Sequence, residues 1–85
     1  MHDEILVGQV RQIMADTFGM DEADLPARPS QASFARWTSL LHMVLLVAIE
    51  EQFGVSLSMD EMTSMTSLER IVDVLRDEEA VGLRA

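Results

Sequence analysis

The sequence predicts an all-α fold, an antiparallel bundle of three longer helices plus one short helix, with a long loop between the first and second helices. Apolar residues recur at the three- and four-residue spacing of a helix in separate segments of the chain. No segment alternates apolar and polar residues as a half-buried strand would. Pro26 and Pro29 interrupt the polar stretch 20–36, which neither a helix nor a strand could cross unbroken. These three observations favour a helical bundle.

The first helix is predicted to run for about four turns and to stop at Gly19, a residue typical of helix ends. Its spacing places these residues on the inner face: Leu6, Val10, Ile13, Met14, Thr17 and Phe18. The stretch 20–36 follows as a loop of a length that is often functional. We expect Leu25 and Phe34 to attach this loop to the core.

The second helix is expected to begin near Thr38 or Ser39, either of which can cap it with a hydroxyl, and to end at Gly54. The spacing predicts a buried stripe of Met43, Leu46, Ile49 and Phe53, with Leu45 beside it.

Two later segments carry capping-box spacing, in which a hydroxyl residue precedes a glutamate by three positions. Ser58 and Glu61 predict a short third helix, and Thr66 and Glu69 predict the start of the last one. Met62 and Met65 would point inward from the short helix. The inner face of the last helix is predicted to be Leu68, Ile71, Val72 and Leu75, with a frayed acidic tail after residue 76.

Length and composition limit the classes of function. Eighty-five residues suit one domain, 1–85, with a core at about 5–76 and a tail at 77–85. The chain has no cysteine, and its two histidines lie far apart, so we expect no metal site. The absence of a basic start to the chain and of cysteine favours the cytoplasm.

The formal net charge of −9 predicts a surface that repels nucleic acid and anionic membranes. Such a surface attracts proteins with basic patches, although it could equally serve solubility alone. The longest apolar run, from Trp37 to Ile49, is shorter than the roughly 20 residues that a membrane span needs.

Catalysis by the side chains themselves is disfavoured. Ser39 and His42 lie three residues apart, but a Ser–His pair also needs a third group to orient the base, and no such group is evident. A partly exposed helix histidine is the favoured interpretation of His42. Glu50 and Glu51 are adjacent on a helix and therefore diverge, which is typical of a solvated face.

The segment 34–55 resembles the acyl carrier protein family. That family has an Asp-Ser-Leu triplet at the start of its second helix, then apolar residues, an acidic patch and a closing Phe. The matching residues are Thr38-Ser39-Leu40, Glu50-Glu51 and Phe53. Upstream, Ala32-Ser33-Phe34 resembles the end of the family's long loop, and downstream Thr66-Ser67-Leu68 resembles the start of its last helix. The resemblance covers about residues 5–76.

The resemblance implies a non-enzymatic, monomeric carrier. A phosphopantetheinyl transferase would attach 4′-phosphopantetheine from coenzyme A to Ser39, and the arm would hold acyl groups as thioesters. A helix N-terminus suits the phosphodiester of that arm. The implied partners are an acyltransferase or an acyl or aminoacyl ligase, and a ketosynthase or other pathway enzymes. Partners would dock on the second helix at Thr38, Leu40, Leu41, Met43, Val44, Val47, Glu50 and Glu51. Cargo would be sheltered in a groove lined by Leu46, Leu57, Met62 and Met65, whose methionines adapt to irregular shapes.

Two departures from the family pattern bear on the pathway. Thr38 replaces the usual Asp before the serine, and Ala35-Arg36-Trp37 replaces the usual Asp-Leu-Gly turn. We expect Trp37 to pack over the loop rather than to border the arm. The apolar start of the second helix favours polyketide or related specialised biosynthesis. An aminoacyl or peptidyl carrier and an unmodified helical adaptor remain as alternatives.

Overall fold

The computed structural model describes the backbone of residues 2–84 and the side chains of residues 4–78. Its helices are α1 (His2–Phe18), α2 (Ser39–Phe53), α3 (Met59–Ser64) and α4 (Leu68–Arg84), and a single 3₁₀ turn (Glu22–Asp24) lies in the long loop. Extended pairing in this part of the chain is limited to one isolated antiparallel bridge, between Ser30 and Ser67. The predicted all-α fold is therefore confirmed. No helix among residues 2–84 is both long and apolar enough to cross a bilayer.

Glycine ends the first two helices, as the sequence predicts. Gly19 has a φ of +68° and Gly54 a φ of +64°, in the left-handed region that glycine enters without a steric penalty. After Gly19, the Met20 N–H donates to the Ala15 carbonyl at 3.0 Å. After Gly54, the Val55 N–H donates to the Glu50 carbonyl at 3.2 Å. In both turns these bonds satisfy carbonyl groups of the last helical turn, and the chain changes direction after the glycine.

The core is built from the inner faces of α1, α2 and α4, from Leu57 and Met65 on either side of α3, and from the connection between α1 and α2. That connection contributes Leu25 and Trp37, both buried. The fully enclosed positions include Val10, Met14, Leu45, Leu46, Ile49, Met65 and Ile71. Each predicted inner-face residue of α4 is buried, and Val74 joins them.

Arg11 of α1 attaches the long loop to the bundle. Its guanidinium donates to the Glu22 carboxylate at 3.0 Å and to the Pro26 carbonyl at 2.7 Å, with a longer contact to the Leu25 carbonyl at 3.4 Å. The Arg11 side chain is only 16% exposed, so these bonds are partly shielded from water. One side chain thus satisfies several backbone carbonyls that a loop would otherwise leave unpaired.

Aromatic packing fixes the other end of the loop. The Phe34 ring meets the Phe18 ring edge-on, with centroids 5.4 Å apart, and Trp37 lies 5.8 Å from Phe18. Arg36 donates to the Phe18 carbonyl at 2.9 Å. The predicted anchoring through Leu25 and Phe34 is confirmed.

The predicted cap of the last helix was wrong by one residue. Ser67, rather than Thr66, accepts the backbone N–H of Arg70 at 3.2 Å. Thr66 instead bonds to the long loop: its carbonyl accepts the Gln31 N–H at 2.8 Å in the isolated bridge. The helix also continues to Arg84, so the expected fraying after Arg76 is wrong for the backbone.

The inner face of α2 also differs from the predicted stripe. Its buried residues are His42, Leu45, Leu46 and Ile49, whereas Met43 is 51% exposed and Phe53 is half-buried. The segment is apolar on most sides, so spacing alone does not select the side that packs inward. The side that packs inward carries His42, whose ring contacts Trp37 of the loop and the Met62 carbonyl of α3.

Replacing Arg11 by methionine is expected to lower the free energy of unfolding by about 1–2 kcal/mol, because several loop carbonyls lose a charged donor. Little of this loss comes from the ion pair itself, since the Glu22 side chain is 42% exposed and water screens its charge. Urea denaturation followed by circular dichroism measures it. Arg70→Met, at an exposed position of α4, is the matched control and is expected to be near neutral. Equal losses in both variants would contradict this role for Arg11.

Candidate functional site

Ser39 is the first residue of α2 and is exposed. The preceding Thr38 is the N-cap, and its hydroxyl accepts the Leu41 N–H at 3.2 Å. The Thr38 carbonyl accepts the His42 N–H at 2.8 Å. Because Thr38 supplies the cap, the Ser39 hydroxyl is not needed for it and makes no hydrogen bond within the described chain.

The electrostatics at Ser39 suit a phosphate ester. The backbone N–H groups of Ser39 and Leu40 have no intrahelical acceptor, and the helix dipole adds partial positive charge there. The first turn of α2 contains no acidic residue, so no carboxylate of that turn opposes a phosphate. An exposed hydroxyl among free N–H groups fits a phosphodiester-linked arm.

His42 does not act as a base toward Ser39. Its Nδ1 accepts the indole N–H of Trp37 at 3.0 Å, and its Nε2 lies 3.0 Å from the Met62 carbonyl. An indole nitrogen only donates and a carbonyl only accepts, so the ring is the neutral tautomer with its proton on Nε2. The ring is also 9% exposed, which corrects the expectation of a partly exposed histidine. Both nitrogens are engaged, and neither is available to Ser39.

Trp37 lies in the core, where it is 2% exposed. Its ring packs against Phe18 and, with centroids 5.9 Å apart, against the His42 ring. The expectation that Trp37 packs over the loop rather than beside the arm is consistent with this position. Its burial fixes the chain two residues before Ser39.

An apolar stripe runs along the exposed side of α2 directly after Ser39. We call Leu40, Met43, Val44 and Val47 the α2 stripe; they are 74%, 51%, 47% and 49% exposed. Their spacing of three and four residues places them on one face of the helix. Leu41 lies off this face, half-buried against the core.

The two glutamates of α2 have different surroundings. The Glu50 carboxylate accepts the Leu57 N–H at 2.8 Å and so orders the turn that leads to α3. Glu51 is exposed. Glu50 therefore has a structural contact that Glu51 lacks.

Comparisons with known proteins agree with this geometry. The family described as "Phosphopantetheine attachment site" matches residues 8–75 of the 85-residue chain. The chain is also 29% identical over 73 residues to the acyl carrier protein of Rubrobacter xylanophilus, covering 86% of this chain and 90% of that protein. This chain belongs to the acyl carrier protein family. Members bear a covalently attached 4′-phosphopantetheine, and this is the prosthetic group of the chain. Carriers work with a phosphopantetheinyl transferase and with the enzymes of a pathway.

The four residues predicted to line a cargo groove all belong to the hydrophobic core of this carrier or pack against it. Leu46 and Met65 have no exposed surface, Leu57 is buried, and Met62 is half-buried against the same cluster. They form a packed layer in this structure. An open cleft of about 390 Å³ lies elsewhere, and none of its lining residues belongs to α2 or α3.

The short helix α3 contributes Met62 to that layer and is held at its start by polar contacts. The Ser58 hydroxyl accepts the Glu61 N–H at 3.1 Å, and the Glu61 carboxylate accepts the Ser58 N–H at 2.8 Å, so the predicted capping box is confirmed. The backbone bond from Ser58 is the largest cause of a lowered pKa at Glu61. A hydrogen bond to Glu61 raises the pKa of Glu78 on α4, and the charge of Glu61 adds to that shift. The two carboxyls therefore titrate as a pair, in which Glu61 ionises first.

Sequence reasoning missed the hydrogen bonds from Trp37 through His42 to Met62. Trp37 and His42 are five residues apart across a helix start, a spacing that belongs to no helical or strand periodicity. The only available signal was a histidine within an apolar run, which is equally typical of an exposed position.

Glu78→Gln is expected to stabilise the carrier at neutral pH but not in acid. The pKa of Glu78 is raised in the folded state. Its stabilising contribution to the free energy of unfolding is therefore fully present below the ordinary pKa of 4.5 and is lost as pH rises through the folded-state pKa. The glutamine amide can donate a hydrogen bond to Glu61 at every pH, and the substitution removes the repulsion between the two carboxylates. Thermal melting between about pH 4 and pH 7 checks this. Glu51→Gln, which removes the same charge at an exposed position, is the control. An advantage of Glu78→Gln that does not grow with pH would contradict the pairing.

Proposed function

We propose that this chain is a discrete acyl carrier whose arm is attached at Ser39 and carries acyl intermediates as thioesters. The observation that supports it best is the exposed Ser39 hydroxyl, which has no hydrogen-bond partner at the start of a helix capped by its neighbour. The match to the phosphopantetheine family, which spans this position, is the second support.

Each nearby residue has a role in this proposal. Thr38 holds the helix start, so that the modified residue projects into solvent. The free N–H groups of Ser39 and Leu40 stabilise the phosphate charge. When bound, the prosthetic group supplies the thiol that forms the thioester. The chain itself supplies an attachment point and a docking surface, and it needs no activated side chain.

Replacement of Ser39 by alanine is expected to abolish modification. The purified chain would be incubated with coenzyme A and a broad-specificity phosphopantetheinyl transferase, and intact-protein mass would be measured. The unchanged chain should gain one phosphopantetheinyl group and Ser39→Ala none. Ser56→Ala, at an exposed serine in the loop before α3, is the matched control and should gain one. An unmodified parent chain would favour the helical adaptor, and a modified Ser39→Ala variant would place the arm elsewhere.

The partner surface in this proposal is the α2 stripe, with Thr38 and Glu51 at its two ends. An enzyme that acts on the arm must approach the start of α2, where the stripe begins. The acidic residues of α2 are confined to its last turns, so a basic patch on a partner finds no carboxylate on the first turns of α2. Partners are therefore expected to present apolar rather than basic surface. The same stripe supports service in polyketide or related specialised biosynthesis.

Placing an acidic residue in the α2 stripe distinguishes docking through apolar contacts from docking through charge. Val44→Glu is expected to lower kcat/KM for loading by the host acyltransferase or ligase about tenfold or more, the loss typical of a central interface residue. Docking on a basic patch predicts a gain instead. Ile5→Glu, at an exposed apolar residue of α1, is the matched control and should change little.

The salt dependence of loading gives a second measurement. Raising sodium chloride from about 50 to about 300 mM should change kcat/KM less than threefold, because screening acts on charges and not on apolar contact. A steep fall with salt would contradict apolar docking.

An aminoacyl or peptidyl carrier remains the alternative cargo class. Intact-protein mass after incubation with adenylating enzymes and with acyltransferases identifies the preferred cargo. Efficient service of a complete fatty-acid synthase would count against a specialised pathway.

A further inference from the structure

Three segments around the attachment point are joined by one buried imidazole. Trp37 precedes α2, His42 lies in the first turns of α2, and Met62 belongs to α3. The indole N–H donates to His42 Nδ1, and His42 Nε2 donates to the Met62 carbonyl, each over 3.0 Å. We call this set the Trp37–His42–Met62 bridge.

The helix that the bridge holds has few other attachments. The six residues of α3 include none that is buried, and an isolated helix of that length is unstable in water. Its capping box is internal to its own first turn, and its polar contact with α4 is the hydrogen bond between the Glu61 and Glu78 carboxyls. The Met62 carbonyl lies near the middle of α3, so the bond from His42 acts on the helix itself rather than on a flanking loop.

The packed layer contains Leu46 of α2 and Met65, the residue that follows α3, and neither has exposed surface. Leu46 is four residues after His42, so both side chains lie on the same face of α2. An aliphatic chain at the thiol end of the arm cannot contact Leu46 or Met65 unless the packing around them opens. Because the bond from His42 joins α2 to α3, an opening between these two helices separates His42 Nε2 from the Met62 carbonyl.

We propose that His42 is a positioning residue which, through the Trp37–His42–Met62 bridge, sets how readily α3 opens and thereby which chain lengths the carrier shelters. This inference rests on the proposed function for its cargo, but the opening of α3 is a property of the unmodified chain. The bond to Met62 favours the closed arrangement, in which short acyl groups stay in solvent. Longer aliphatic groups enter only when their burial outweighs the loss of that bond.

Two substitutions of His42 separate the two halves of the bridge. In His42→Asn the amide oxygen lies where Nδ1 lies and still accepts from Trp37, but the shorter side chain does not reach Met62. In His42→Gln the amide nitrogen lies where Nε2 lies and still donates to Met62. The two variants therefore each keep one contact of the bridge, Asn the one to Trp37 and Gln the one to Met62, while both place a polar amide in the same site.

Hydrogen exchange of the unmodified variants measures the opening of α3. Amides of residues 61–64 should exchange about five- to tenfold faster in His42→Asn than in His42→Gln, the factor expected from one net hydrogen bond. Amides of α1 should exchange at matched rates in the two variants. The emission of the single tryptophan reports whether the core around residue 37 stays intact. Equal exchange of α3 in both variants would overturn the proposal, as would acceleration spread evenly over all helices.

Cleavage by hydroxylamine tests the consequence for cargo. The transferase would load acetyl or octanoyl arms from the corresponding coenzyme A thioesters, and hydroxylamine would cleave each to a hydroxamic acid and the free thiol. The acetyl-to-octanoyl ratio of cleavage rates should be at least threefold higher in His42→Asn than in His42→Gln, because easier opening shelters the longer chain. An unchanged ratio would overturn the link to chain length.

A chain that accepts no arm would refute the proposed function, and the exchange experiment would still decide the role of His42. The two failures are thus distinguishable.

Discussion

The burial of Trp37 two residues before an exposed serine is the constraint on which the site depends. The indole ring is enclosed between Phe18 and His42, and its N–H is satisfied by the histidine, so the chain enters α2 at a fixed place. Thr38 then caps the helix, and residue 39 is left as the first side chain that neither packs nor caps. A buried aromatic residue with a satisfied polar atom holds a position more firmly than a loop could. A reactive arm that must reach several enzymes needs such a fixed origin.

The bundle separates its charged and apolar surfaces in an unexpected way. The chain has a net charge of −9, yet the exposed side of α2 next to Ser39 is apolar. Of the two acidic residues of α2, Glu50 accepts a hydrogen bond from the Leu57 N–H. The long-range charge thus favours solubility and attraction at a distance, while close contact at α2 is apolar.

Much of the fold was predictable because its signals are local. Gly19, Gly54 and the Ser58–Glu61 box each depend on a few adjacent residues and form as predicted, and the cap of α2 is Thr38, one of the two residues expected to serve. The errors arise where distant segments compete. The Thr66 carbonyl is taken by Gln31, which moves the cap of α4 to Ser67. The inner face of α2 turns toward His42 because a tryptophan and a carbonyl from other segments satisfy its ring, and no periodicity within α2 encodes those partners. Ser39 was identified from its family resemblance and its place before an apolar helix, whereas the Trp37–His42–Met62 bridge required the tertiary structure.

The most direct test of the central claim is the mass of the protein purified from its own host, with fragmentation to locate any added group. The account predicts a chain that bears one phosphopantetheinyl arm, with the fragment ions assigning it to residue 39. A native chain without the arm, or an arm on any other residue, would contradict it.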